Sequence, residues 1–306
     1  MLHFPVQPMK AVSGDLPHDD DGWAYELKWD GYRTIAFLDG DRARLQSTTF
    51  RDVSAKYPEL AGLAEGLDGS KAIVDGEVVV LTPEGVPRFE LLQRHEDAAA
   101  FVAFDLLSLD GKDLVNRPYE ERRALLLERF RPGAGRIVPR HQVGDGEVLL
   151  QVTADQGLEG IVAKRLGSLY VPGKRSPNWR KVKHRPQQEV VVGGFTAGGG
   201  NRTGRFGALL VGVYDGGRLR FGGGVGSGFD QKMLDSLTKQ LRGLATSDCP
   251  FDPPPPRAYA RDATWVLPEL VVEIAFAEWT SEGFVRQASF LGLRDDKRPE
   301  EVVREG

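Results

Sequence analysis

Tyr25-Glu26-Leu27-Lys28-Trp29-Asp30-Gly31-Tyr32-Arg33 reads as a strand that ends in a tight turn. Aromatic and aliphatic residues surround one lysine, and Asp30-Gly31 supplies the turn chemistry. Apolar neighbours disfavour a charged amine, so Lys28 is expected to have a lowered pKa and to act as a nucleophile near neutral pH. The competing reading is a surface lysine beside a hairpin. Lys-x-Asp-Gly fixes three positions, and by composition it arises by chance in roughly a few per cent of chains this long. Its weight depends on what accompanies it.

The chain has 306 residues, enough for about two domains. With 41% hydrophobic and 27% charged residues it is a globular rather than a disordered chain. The single cysteine, Cys249, excludes an intramolecular disulfide and any multi-cysteine metal site. No apolar run is long enough to span a bilayer, so no membrane partner is expected. Met1-Leu2-His3-Phe4-Pro5 lacks a signal-peptide pattern, which makes the expected location cytoplasmic. The formal net charge is -4, so any grip on nucleic acid has to come from a local basic patch.

Residues 1–22 read as an irregular entry. A hairpin is expected over 35–38 and 43–46, around Asp39-Gly40-Asp41. Helices are expected over 53–63, over 116–130 with Asn116 as its cap, and over 147–156. Strands are expected over 72–80, 101–107 and 158–164. The first is interrupted by Asp75-Gly76-Glu77, and the last has Glu159 near its start. Between 161 and 185 stand Lys164, Arg165, Lys174, Arg175, Arg180, Lys181, Lys183 and Arg185, with no acid among them. Tyr170 and Trp179 lie within this run, which gives it the look of a phosphate-facing surface rather than a merely solvated one. Past Arg185-Pro186 the composition turns to Gly-rich short strands, expected over 189–195, 206–214, 219–224, 265–277 and 284–290. One helix is expected over 230–241. Five strands and a helix point to a small OB-type barrel. The expected domains are 1–185 and 186–306. His3, His18, His95, His141 and His184 are scattered and form no ligand spacing.

Taken together, these stretches resemble the motifs of the covalent nucleotidyltransferases, and most nearly those of the ATP-dependent DNA ligases. Lys28-Trp29-Asp30-Gly31-Tyr32-Arg33 looks like the first motif and Asp75-Gly76-Glu77 like the third, with Phe104-Asp105 as its aromatic companion. Glu159-Gly160-Ile161-Val162-Ala163-Lys164 looks like the fourth and Trp179-Arg180-Lys181-Val182-Lys183 like the fifth. Arg294-Asp295-Asp296-Lys297 is similar to the last. Gly224-Val225-Gly226-Ser227-Gly228-Phe229 and Phe290-Leu291-Gly292-Leu293-Arg294 resemble the ligase domain of bacterial and archaeal end-joining ligases of the ligase D type. Where that branch carries Ser-Arg-Asn-Gly, this chain has Ser47-Thr48-Thr49-Phe50-Arg51, and Arg51 is the candidate substitute for the missing arginine.

The resemblance implies an α+β chain of two domains. A nucleotidyltransferase domain of antiparallel sheets with flanking helices comes first, and an OB-fold β-barrel follows. It implies ATP as the adenylate donor, Mg²⁺ or Mn²⁺ as the metal, and nicked or broken duplex DNA as the substrate. Lys28 is the expected nucleophile. Lys181 and Lys183, two apart on a strand, share a face and would hold the α-phosphate. Glu159 and Glu77 would hold metal, Glu77 alternatively meeting the ribose. Phe104 would stack on the adenine, Glu26 and Leu27 would line it, and Arg33 would meet the ribose or the DNA 5′-phosphate. Lys164 would orient phosphate or metal ligands. Arg294 and Lys297 would orient the leaving pyrophosphate, with Arg185-Pro186 as a hinge. A monomer at the nucleoid, working with end-joining or repair proteins, is the expected setting. The competing functions are an RNA ligase or RNA-capping nucleotidyltransferase, and a non-catalytic DNA-end-binding module.

Overall fold

The computed structural model describes residues 2–94 and 97–305. Met1, His95 and Gly306, named or included above, lie outside the described residues. Contacts divide the chain into two units, one running to His184 and the other from Arg185 to Glu305.

The first unit contains strands β1 (Lys10–Ser13), β2 (Trp23–Leu27), β3 (Tyr32–Asp39), β4 (Arg42–Ser47), β5 (Ala72–Val79) and β6 (Ala100–Leu109). After these come β7 (Lys112–Asp113), β8 (Arg136–Ile137), β9 (Gln142–Val143), β10 (Gly160–Arg165) and β11 (Arg175–Lys183). Its helices are α1 (Phe89–Arg94), α2 (Tyr119–Arg129) and α3 (Gly146–Asp155). One sheet runs β1-β11-β10-β2-β9 and the other β4-β3-β5-β6-β7, with β8 beside β6. The expected hairpin is present, with Asp39 opposite Arg42.

The Lys28 stretch is not a hairpin. β2 belongs to one sheet and β3 to the other, so Lys28-Trp29-Asp30-Gly31 is the crossing between them. Gly31 permits the crossing, because a Cβ there would lie 2.1 Å from the Val78 carbonyl oxygen.

Each sheet has a separate apolar packing face. Leu60, Leu63, Ala64, Leu126 and Phe130 cover one side of the six-stranded sheet. Met9, Ile35, Ile73, Phe104, Leu107, Tyr170 and Trp179 form a cluster in which residues of the two sheets meet. Tyr25, Ile161, Ala163 and Val182 pack with Leu149 and Leu150 of α3 on the far side of the five-stranded sheet.

Two helix expectations need correction. Residues 53–63 form no α-helix but the 3-10 segments Ser54–Lys56 and Pro58–Leu67, because Pro58 lacks the N–H that would continue the first turn. Asn116 does not cap α2. The helix starts after Pro118, and no side chain caps it.

The second unit contains β12 (Gln187–Ala197), β13 (Phe206–Asp215), β14 (Arg218–Val225), β15 (Ala245–Thr246), β16 (Ala263–Val266), β17 (Val271–Ala275), β18 (Glu278–Trp279), β19 (Val285–Arg286) and β20 (Ser289–Leu293). Its helices are α4 (Gln231–Gly243) and α5 (Arg257–Ala260). β12 is bent by register shifts, so its first half pairs with β17 and its second with β16. The expected strand 265–277 is two strands, since Pro268 cannot donate to a ladder. The expected strand 284–290 is likewise β19 and β20, separated at Gln287 with φ +53. Along β14-β13-β12-β17-β20 the continuous ladder stays open, and the isolated bridge Ser227–Ser289 joins its two ends. Asp230 caps α4 by accepting from Met233 N at 2.6 Å, and Leu234, Leu237 and Leu241 enter the core.

Candidate active site

Strand register assembles the site. Lys183 lies opposite Gly160, Lys181 opposite Val162 and Trp179 opposite Lys164. On the other side of β10, Glu26 lies opposite Val162 and Ala24 opposite Lys164. Lys28 N donates to Gly160 O at 3.0 Å, just past the end of that ladder. Paired residues share a face and neighbours alternate, so Glu26, Lys28, Lys164, Trp179, Lys181 and Lys183 occupy one face of this sheet.

The same alternation corrects the expected surroundings of Lys28. Tyr25 and Leu27 belong to the opposite face, so these two residues do not enclose the amine. Leu27 can border this face only through its backbone. What the amine meets is Glu159. Lys28 Nζ donates to Glu159 Oε2, and Lys183 Nζ lies 2.8 Å from Oε1. The Glu159 side chain is 7% exposed. Burial pushes its carboxyl up, but the Lys28 and Lys183 ammonium groups more than reverse this and hold it well below the ordinary carboxylate range. Gly160 makes the approach possible. Its φ is +146, and a Cβ would lie 2.1 Å from the Val182 carbonyl oxygen.

Further along this face, Lys164 Nζ donates to Glu26 Oε2 at 2.9 Å, and both side chains are 2% exposed. Lys164 is thus no part of a solvated basic surface. Its ammonium stands 4.4 Å from the Trp179 ring centre and 4.5 Å from that of Phe104. Phe104 is buried, edge-on to Trp179 at 6.2 Å, with the Arg33 guanidinium 4.9 Å from its centre. Arg33 grips Asp75 with two hydrogen bonds of 2.7 and 2.6 Å. Tyr170 donates to the same carboxylate at 2.6 Å. Glu77 is half-buried and sits opposite Arg33 in the β3–β5 ladder.

The motif near the C-terminus lies in the second unit. Arg294 donates to Asp296 at 2.8 and 3.0 Å and to Glu273 at 2.7 Å. Lys297 Nζ lies 3.2 Å from Glu189 Oε1. Burial opposes charge on Arg294, but Asp296 and Glu273 outweigh it and raise its pKa well above the usual value. Arg51 is exposed, and its backbone closes the turn with Ser47 at 3.0 Å.

Among the described residues no three His, Cys, Asp or Glu side chains cluster into a metal cage. A Mg²⁺ ion that takes phosphate oxygens needs only one or two carboxylates. Glu159, ionised beside Lys28, has that donor chemistry.

Residues 5–183 match the family described as ATP dependent DNA ligase domain, and residues 202–297 match the ATP dependent DNA ligase C terminal region. The chain belongs to the ATP-dependent DNA ligases. This ligase is 45% identical over 303 residues to the multifunctional non-homologous end joining DNA repair protein LigD of Mycobacterium tuberculosis. The match covers 98% of this chain and 40% of that protein, so the ligase spans about two fifths of the length of such relatives. It is 33% identical over 326 residues to DNA ligase C1 of Mycolicibacterium smegmatis, covering 96% of this chain and 91% of that one. The solved structure titled mycobacterial DNA ligase D complexed with ATP and MES matches with a TM-score of 0.70 and 42% identity, covering 98% of both chains. The expected architecture, a nucleotidyltransferase domain followed by an OB-fold domain, is the one found.

The sequence pattern gave no functional part to Tyr119, Arg122 or Arg123, all of which are buried, and Tyr170, expected on a phosphate-facing surface, is buried too. A signal was present. Tyr119, Arg122 and Arg123 precede Leu126 and Phe130 at helical spacing, which places polar groups on the helix face that enters the core.

Proposed function

We propose that this ligase seals 5′-phosphate/3′-hydroxyl breaks in duplex DNA through an adenylate carried on Lys28. The Lys28 amine, once it has lost a proton, attacks the α-phosphorus of ATP. An N–P bond forms, the bond to the bridging oxygen breaks, and pyrophosphate leaves. A DNA 5′-phosphate oxygen then attacks the same phosphorus, the N–P bond breaks, and AMP moves to the DNA. Finally the 3′-hydroxyl attacks the 5′-phosphorus and AMP departs, leaving a phosphodiester.

The observation that carries this reading is the Lys28–Glu159–Lys183 array at the end of the β2–β10–β11 ladders. Held well below the ordinary carboxylate range, Glu159 is a poor acceptor for the Lys28 proton. Its part is to place the amine and balance the two lysines until phosphate replaces it. Lys181 and Lys183 then meet charge that builds on the α-phosphate. Glu159 and Glu77 would hold a divalent cation, Mg²⁺ or Mn²⁺, whose charge offsets that of the polyphosphate. Phe104 and Glu26 border the base end, and Arg33, fixed by Asp75, faces ribose or DNA phosphate. Arg294 and Lys297 keep the role the resemblance implies, orienting pyrophosphate as it leaves.

The name of the LigD relative supports break repair by end joining as the setting. The reading adds a monomer acting at the nucleoid beside other end-joining or repair proteins. The test is intact mass after incubation with ATP. One adenylate should be gained, should be removed by pyrophosphate, and should map to Lys28. Nicked DNA should then discharge it and nicked RNA should not. An adduct on another side chain, or none, refutes the proposal.

A further inference from the structure

Helix α2 ties the two sheets of the first unit together through buried polar side chains. Arg122 grips Asp105 of β6 with two hydrogen bonds of 2.8 Å and donates to Ser168 O at 3.0 Å. Arg123 donates to Ala103 O, also on β6, at 3.3 Å, and to Pro139 O. Tyr119, with no exposed surface, turns to the other sheet and donates to Glu26 Oε1 on β2. Lys164 occupies the second oxygen of that carboxylate and also donates to Phe104 O at 3.3 Å.

The Glu26 carboxylate depends on this arrangement. Burial pushes it up, and Lys164, Arg123 and the Tyr119 hydroxyl together bring it below the ordinary range. Remove the hydroxyl, and one oxygen of a buried carboxylate loses its donor. A bare buried acceptor costs more than the bond it lost, so the group turns away or takes up a proton. In either case Lys164 loses its anionic partner. Glu26 and Lys164 share the Lys28 face, two and four residues along their ladders from the Lys28–Gly160 end.

We propose that Tyr119 is a positioning residue for adenylate transfer. By fixing Glu26, and through it Lys164, it sets the polar floor on which the base end of ATP is seated while Lys28 attacks. The proposal rests on the adenylation of Lys28 proposed above. Tyr119 itself touches no reacting atom.

Single-turnover adenylation, read by intact mass across a range of ATP concentrations, tests it. The proteins compared are the wild type, Tyr119→Phe, Glu26→Gln and the double variant. Tyr119→Phe should raise the ATP concentration for half-maximal rate about tenfold, with a smaller change in the limiting rate. Glu26→Gln should do the same, and the double variant should be no worse than Glu26→Gln, since the hydroxyl acts through that carboxylate. A merely structural role would depress the limiting rate and leave the ATP dependence unmoved. Wild-type ATP dependence in Tyr119→Phe, or additive losses in the double variant, overturns the proposal. Failure of the underlying reading looks different, because the wild-type protein would then show no adenylate on Lys28.

Discussion

Replacing Arg122 with methionine should unfold the first unit at a markedly lower temperature. Neither Arg122 nor Asp105 has any exposed side-chain surface, so solvent screens their interaction little. The substitution removes two hydrogen bonds to Asp105 and one each to Arg117 O and Ser168 O. It also leaves a carboxylate buried without its cation. Removing one partner of such a pair costs about 3–5 kcal/mol. At roughly 2–4 °C per kcal/mol for a unit of this size, the melting temperature should fall by about 6–20 °C. Hydrogen–deuterium exchange over Tyr119–Arg129 and Ala100–Leu109 reads the loss locally. The double variant Arg122→Met/Asp105→Leu removes both charges and should recover most of the stability, since a buried pair replaced by apolar groups costs little. A single variant that loses less than about 1 kcal/mol, or a double variant no more stable than the single, would refute the reasoning.

Three further outcomes are expected. Lys28→Ala should retain DNA binding in a filter or gel assay while gaining no adenylate in the mass spectrum. Lys183→Met should slow adenylation by about 10²–10³-fold, the usual loss when one charge-stabilising donor is removed, whereas a change below fivefold in single-turnover kinetics would exclude a direct phosphate contact. Acid should destabilise both units. Glu26 and Glu159 in the first and Asp296 in the second are buried carboxyls held low by their cations. Each contributes stability above its unfolded pKa of about 4, and that contribution is lost as pH falls toward the folded value. Melting temperatures should therefore be flat from pH 7 to about 5 and drop below it.

The strands and the motif order were legible because each lies in contiguous sequence. The shared face of Lys181 and Lys183 followed from their spacing alone. The partners were not legible, since they come from distant positions. Lys28 and Glu159 are 131 residues apart, and Tyr119 and Glu26 are 93 apart. Two of the apolar neighbours expected around Lys28 lie elsewhere for a local reason. Tyr25 and Leu27 flank it in sequence, but the pleat turns them to the other face. In α2, Arg122 and Arg123 share the buried side with Leu126 because β6 offers them a carboxylate and a carbonyl oxygen. Apolar residues run on both sides of Pro268, so strand 265–277 looks continuous in sequence, and composition carries no information about where a ladder changes partner.

Most of the cations assigned to phosphate in this ligase are held by carboxylates of the fold. Lys28 and Lys183 have Glu159, Lys164 has Glu26, and Arg33 has Asp75. In the second unit Arg294 has Glu273 and Asp296, and Lys297 has Glu189. A row of bare ammonium groups beneath a buried indole would repel itself and strain the sheet. Internal carboxylates remove that cost while no nucleotide is bound, and in the proposed reaction an arriving polyphosphate would have to displace them. The binding free energy is then the difference between phosphate and carboxylate as partners, not the full attraction of phosphate for a free cation. In the proposed reaction Glu159 would serve both stages. As counter-ion it pairs with Lys28 and Lys183, and once phosphate had taken the lysines its ionised oxygens would be free to join phosphate oxygens around a divalent cation. A glutamine at 159 could still bond a lysine but would supply neither charge, so the resting site and the loaded site would fail together.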